Sequence, residues 1–161
     1  MRRLIASQAT KGDGLSDKNG TLRALGMIMP EKKTLERVRK DKQEGKAPTT
    51  QAGEFIREEM EHIREGKHGA RSTRQAIAIG LSKARRAGVE LPPPKPGTTS
   101  EATRKQAKRE LAKGASGSTK VSAKRSAATT KALQREGHSA ASKKSLSEHA
   151  KAAAAARRSA E

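Results

Sequence analysis

The chain of 161 residues carries 36 Lys and Arg against 17 Asp and Glu, a formal charge of +19, with one Phe and no Trp, Tyr or Cys. That composition excludes disulfides, thiolate metal sites and a large aromatic core, and no apolar run is long enough to cross a membrane. What it leaves is a modest helical core with flexible flanks, and a field that draws polyanions, nucleic acid before anionic lipid or acidic protein.

Residues 1–29 hold Gly, Ser, Asp and Asn without periodicity and predict a disordered leader. Arg2 and Arg3 precede Leu4 and Ile5, but the apolar run is too short for a secretory signal, and Met29-Pro30 reads as an alternative start. From Pro30, set to be a first helical residue, EKKTLERVRKDKQEG places acid before base, as a helix dipole prefers, and stops at Gly45. Lys46 to Thr50 read as a loop that can cap the next helix. In QAGEFIREEMEHIREG, Ala52, Phe55, Ile56, Met60 and Ile63 share one face, and Glu54, Glu58, Glu61 and Glu65 form an acidic stripe on the other. That stripe must turn away from a polyanion or pair with basic residues.

The densest segment is GKHGARSTRQAIAIGLSKARRAG, Gly66 to Gly88. Ser72 with Gln75 three residues on forms a capping box, and Gly88 suits a left-handed stop. Ala76, Gly80 and Ala84, spaced by four, make a ridge of small side chains that admits another backbone. The two helices therefore pair as a hairpin, with Phe55, Ile56, Met60 and Ile63 against Ile77, Leu81 and the ridge. The ridge would serve a homodimer equally well. Free amides at the helix start, backed by Lys67, Arg71 and Arg74, suggest a phosphate clamp.

VELPPPKPG opens a semi-rigid polyproline hinge over 89–99. Beyond it, residues 101–161 hold 15 basic and 5 acidic residues and only four large aliphatics. Punctuation there predicts marginal helices from Ser100 to Gly114, Ser118 to Gly137, and Ser139 to Arg158. Glycines 45, 66, 88, 114 and 137, spaced by 21, 22, 26 and 23, raise a degenerate helix–turn repeat. The fold expected is all-α: a disordered leader (1–29), a helical core of two or three helices (30–88), the Pro-rich linker (89–99), and a basic, marginally helical or disordered tail (100–161).

No catalytic constellation is present: no HExxH, CxxC, GxSxG or phosphate loop occurs, and no cofactor is implied. His62, His68, His138 and His149 are scattered, so no metal ligands are assigned, and His62 and His68 read as a helix-surface residue and a loop residue. Base stacking needs aromatics, and Phe55 is claimed by the apolar face. A helix-turn-helix register with Gly80 as the turn puts Arg86 where a buried aliphatic belongs.

Residues 29–114, above all GKHGARSTRQAIAIGLSKARRAGVELPPPKPG, resemble an uncharacterised bacterial family of small, basic, Lys/Arg/Ala-rich proteins, which implies no activity. The tail is similar in composition to histone-H1-like bacterial tails. The function expected is non-catalytic, charge-driven binding of duplex DNA of nucleoid-associated type in the cytoplasm. RNA or ribosome association, or a helical protein–protein module with an acidic partner, is the alternative. Lys67, Arg71, Arg74, Lys83, Arg85 and Arg86 are the expected core contacts. Arg104, Lys105, Lys108, Arg109, Lys124, Arg125, Lys143 and Lys144 are the expected tail contacts.

Overall fold

A computed structural model describes residues 29–117 and 122–159, and every regular element among them is helical. In chain order these are α1 (Lys32–Gln43), α2 (Pro48–Arg64), α3 (Thr73–Arg86), α4 (Glu101–Ala115), α5 (Ala123–Leu133), a 3-10 turn at Ser139–Ala141, and α6 (Lys143–Arg158). The expected leader, Met29 apart, lies outside the described residues. No described helix is long and apolar enough to cross a membrane.

The expected α2–α3 hairpin forms, because the apolar stripe of α2 finds the small ridge of α3. A Cβ on Gly80 would sit 2.8 Å from the Ile56 Cα, so only glycine admits this approach. Two clusters flank that crossing. One joins Met60, Ile63 and Ala76 with Ile56 and Ile77, and the other joins Ala52, Phe55 and Ala84 with Leu81. Phe55 is fully buried, which stabilises the fold by about 1.5–3 kcal/mol relative to exposure. Helix α1 lays its only large aliphatics, Leu35 and Val38, on the second cluster, and Arg37 pairs with Glu54 of α2 at 2.5 Å.

Several boundaries differ from expectation. Helix α1 begins after Glu31, with Pro30 outside it. Helix α2 starts at Pro48, not at a threonine cap, since Pro has the φ and the missing N–H that a first position wants. Ser72 caps α3 as expected: its Oγ accepts from the Gln75 N–H at 3.2 Å, while Gln75 Oε1 accepts from the Arg71 N–H at 2.8 Å. The glycine repeat does not survive. Gly45, Gly66 and Gly88 adopt positive φ, but Gly114 is helical and closes against the Arg85 carbonyl, so α4 ends at Ala115 and the positive-φ glycine after it is Gly117.

The start of the expected hinge is core, not linker. Val89 and Leu91 are buried in the second cluster, and the Arg85 guanidinium donates to the Leu91 and Pro92 carbonyls at 3.2 and 3.4 Å. Residues 87–100 then return the chain so that α4 packs on α3: Ser82 donates to Glu110, and Gly114 lies on Arg85. The tail docks as well. Gly69 and Ala70 donate their N–H groups to the Leu133 and Gly137 carbonyls at 2.9 and 3.0 Å. Thr73 Oγ1 donates to the Ala140 carbonyl at 2.7 Å and Arg64 Nε to the Ala141 carbonyl at 2.9 Å. Ala140 and Ala141 are buried in the first cluster, with Leu146 of α6 against it. Alanine-rich helices with few large aliphatics are thus held by backbone acceptors and small buried methyls.

Candidate functional sites: a cationic cleft and a buried histidine cluster

Two of the six expected core contacts are inside the protein. Lys83 follows Ala76 by seven residues and Gly80 by three, so the helix wheel puts it on the packing ridge. It is 1% exposed, with Nζ 2.8 Å from Glu59 Oε2 and 3.4 Å from Glu58 Oε1. Arg85 is buried and spent on the Leu91 and Pro92 carbonyls, and burial pushes its guanidinium down from the ordinary value while Glu110 opposes. Neither presents charge to a ligand. The acidic stripe pairs with basic residues of the chain itself: Glu58 is buried with Lys83, Glu54 meets Arg37, and the more exposed Glu61 and Glu65 meet Arg57 and Lys67.

Part of the expected phosphate clamp is engaged within the chain. Lys67 is tied to Glu31 at 3.0 Å and Glu65 at 2.9 Å. The amides of Gly69 and Ala70 are used by the tail, and the turn at Ser139–Ala141 lies on Thr73 at the helix start. Arg71 and Arg74 remain exposed beside it. In the tail, Lys105, Lys108, Arg109, Lys124, Arg125, Lys143 and Lys144 are exposed, while Arg104 is half-buried and pairs with Glu101 at 3.0 Å.

The cations that share a recess are a different set. A cleft of about 650 Å³ opens where α1, the end of α3, the end of α4 and the start of α5 meet. Among the described residues its charged lining is Arg39, Lys42, Arg86, Lys113 and Arg125, with no Asp or Glu; Leu35, Val38 and Val89 give it an apolar floor. Of these five, the sequence reading found Arg86 and Arg125. Arg39 and Lys42 lie at helical spacing from Leu35 and Val38, so the face that packs also carries them to the cleft. Lys113 arrives there through the docking of α4, which no local pattern reveals.

A second site is buried where α2 meets the Gly66–Ser72 loop. His62, one turn after Glu59 on α2, is 3% exposed, and His68 is 1% exposed. Neither is the surface residue the pattern suggested. Their rings meet edge to face with centroids 6.1 Å apart. His62 Nε2 contacts Glu31 Oε1 at 2.8 Å, and this contact first, then Lys67, holds the Glu31 carboxyl down to about 2. His68 Nδ1 contacts the Gly69 carbonyl at 3.0 Å, and its Nε2 faces Glu59 Oε1 at 3.2 Å. Burial pushes the His68 imidazole below its ordinary 6.5. Glu59 Oε1, His62 Nδ1 and His68 Nε2 are buried without a hydrogen-bond partner, while Glu59 Oε2 is met by the Lys83 ammonium. The signal in the sequence was Glu-x-x-His followed by a second histidine after five residues, hidden because both histidines looked solvated.

A family of unknown function (DUF6496) matches residues 39–95, which span α2, α3 and the buried cluster. No curated protein and no solved structure matches the chain.

Proposed function

We propose that the chain binds nucleic acid through charge, without catalysis and without reading bases, and that the cleft between α1, α3, α4 and α5 is the principal contact. The observation that carries this reading is the cleft lining, which among the described residues has five cations, no acid, and an apolar floor. Such a surface suits a sugar–phosphate strand, whose phosphates meet the rim while the sugars cover Leu35 and Val38. The phosphate term is non-specific and dominates affinity for basic proteins. Base stacking has no platform, because the single Phe is fully buried. Exposed Lys105, Lys108, Arg109, Lys143 and Lys144 add long-range attraction from outside the cleft.

Duplex DNA is the favoured partner and structured RNA the alternative. The test is a gel-shift series across salt with both nucleic acids. If about eight phosphates are neutralised, log K against log salt slopes near −7 on duplex DNA, and a slope shallower than about −2 would refute charge-driven binding. Tighter binding to structured RNA at every salt concentration would assign the cleft to RNA.

A further inference from the structure

The buried cluster contains more acceptors than the fold can satisfy. The Gly69 carbonyl only accepts, so His68 Nδ1 carries the proton of a neutral imidazole, and His68 Nε2 presents a lone pair. Glu31 Oε1, held by Lys67 as well, accepts from His62 Nε2 and leaves His62 Nδ1 bare. Those two nitrogens converge on a carboxylate oxygen of Glu59, and the three donor atoms lie within 4.8 Å of one another. All three are buried and unpartnered, an arrangement that costs free energy unless a cation lies among them.

Each member is also oriented from behind. His62 is held by a carboxylate and His68 by a backbone carbonyl, the partners that orient metal-binding imidazoles. Lys83 takes Glu59 Oε2 at 2.8 Å, which leaves Oε1 facing His68. Counting Glu31, Glu58, Glu59 and Glu65 against Lys67 and Lys83, with neutral imidazoles, the linked groups have two negative charges in excess. Two imidazoles and one carboxylate are a donor set for a borderline divalent ion, zinc foremost. Donors of a tetrahedral zinc ion at about 2.0–2.1 Å lie roughly 3.3 Å apart, so a small contraction of the cluster completes the site.

We infer that Glu59, His62 and His68 bind one divalent transition metal ion, with zinc the best fit, and that the ion pins the Gly66–Ser72 loop to α2. That loop supplies the Gly69 and Ala70 amides on which the tail docks, so the metal supports docking of residues 133–141. The role is structural and independent of nucleic-acid binding.

The test uses the full-length, untagged chain stripped with a chelator and titrated with Co2+ alone, followed by Zn2+ competition. Expected are one Co2+ per chain with the visible d–d bands of a four-coordinate ion, displacement by Zn2+, a rise in melting temperature, and slower hydrogen exchange at Gly69 and Ala70. His68→Gln and Glu59→Gln each lower affinity more than tenfold, Glu31→Gln by about tenfold through His62, and exposed His138→Gln leaves it unchanged. Circular dichroism of each metal-free variant separates loss of the site from loss of the fold, and Glu31→Gln, which lies outside the donor set and is half-exposed, remains informative if Glu59→Gln unfolds. Absence of saturable binding, binding undiminished in folded His68→Gln, or equal loss in His138→Gln would overturn the assignment.

Discussion

Replacing Lys83 with Met asks whether this lysine is structural or faces a ligand. Methionine keeps the length of the side chain and removes only the ammonium. Glu58 and Glu59 then lose the charge at 3.4 and 2.8 Å from their oxygens, in a pocket where each side chain is 1% exposed. Glu58 Oε2 keeps the Glu31 N–H at 3.1 Å, but Glu59 keeps no donor among the described residues. Breaking a buried pair from one side costs about 3–5 kcal/mol. Against a total stability of about 5–15 kcal/mol for a domain, that is roughly a fifth or more. The assay is urea denaturation followed by far-ultraviolet circular dichroism, with chelator present, since the chain has no Trp or Tyr to report. Adding Glu59→Gln removes the stranded charge and should recover part of the loss, with a coupling of about 0.5–3 kcal/mol. A loss below about 1 kcal/mol for Lys83→Met, the range of exposed ion pairs, would refute the buried-pair account.

Gly80→Val should destabilise by about 1–3 kcal/mol by the same denaturation assay, because its Cβ meets the Ile56 backbone and α2 cannot retreat without opening both clusters. Thr73→Val strands the Ala140 carbonyl and should cost about 1–3 kcal/mol, read locally as faster proteolysis beyond residue 138. In metal-free protein, burial first, then Lys83 and His62, make His68 resist protonation against the opposing pull of Glu59, so its contribution is complete above pH 6.5 and is lost as pH falls toward its lower folded value. Stability against pH should therefore show a limb below pH 6.5 that His68→Gln abolishes. A second limb, between pH 4.5 and about 2, belongs to Glu31 and should vanish in Glu31→Gln.

The helices that bury an apolar face were legible because periodicity and caps are local. Ser72, Gln75, Gly88 and the Ala76–Gly80–Ala84 ridge predict α3 and its partner face correctly. The path after Gly88 was not legible, because VELPPPKPG has the composition of a linker and its docking depends on Arg85 reaching two carbonyls. Charged residues misled most. Lys83 and Arg85 count as surface charge in any composition argument, yet one balances two buried glutamates and the other ties down backbone. The cationic cleft joins residues from four helices, so only the tertiary arrangement places Arg39, Lys42 and Lys113 together. His62 and His68 were invisible as a pair because nothing local says that the loop after α2 folds back onto it.

The central claim, that a cleft and not charge in general carries nucleic-acid binding, is tested by the salt dependence of duplex DNA binding for two variants of equal charge. One replaces Arg39, Lys42, Lys113 and Arg125 with Gln, and the other replaces the exposed α6 residues Lys143, Lys144, Lys151 and Arg157 with Gln. The account predicts that the cleft variant's slope becomes shallower by about 3 to 4, near 0.9 per lost phosphate contact, while the α6 variant changes by less than about 1. Equal losses in the two variants, or an unchanged slope when the cleft is neutralised, would contradict it.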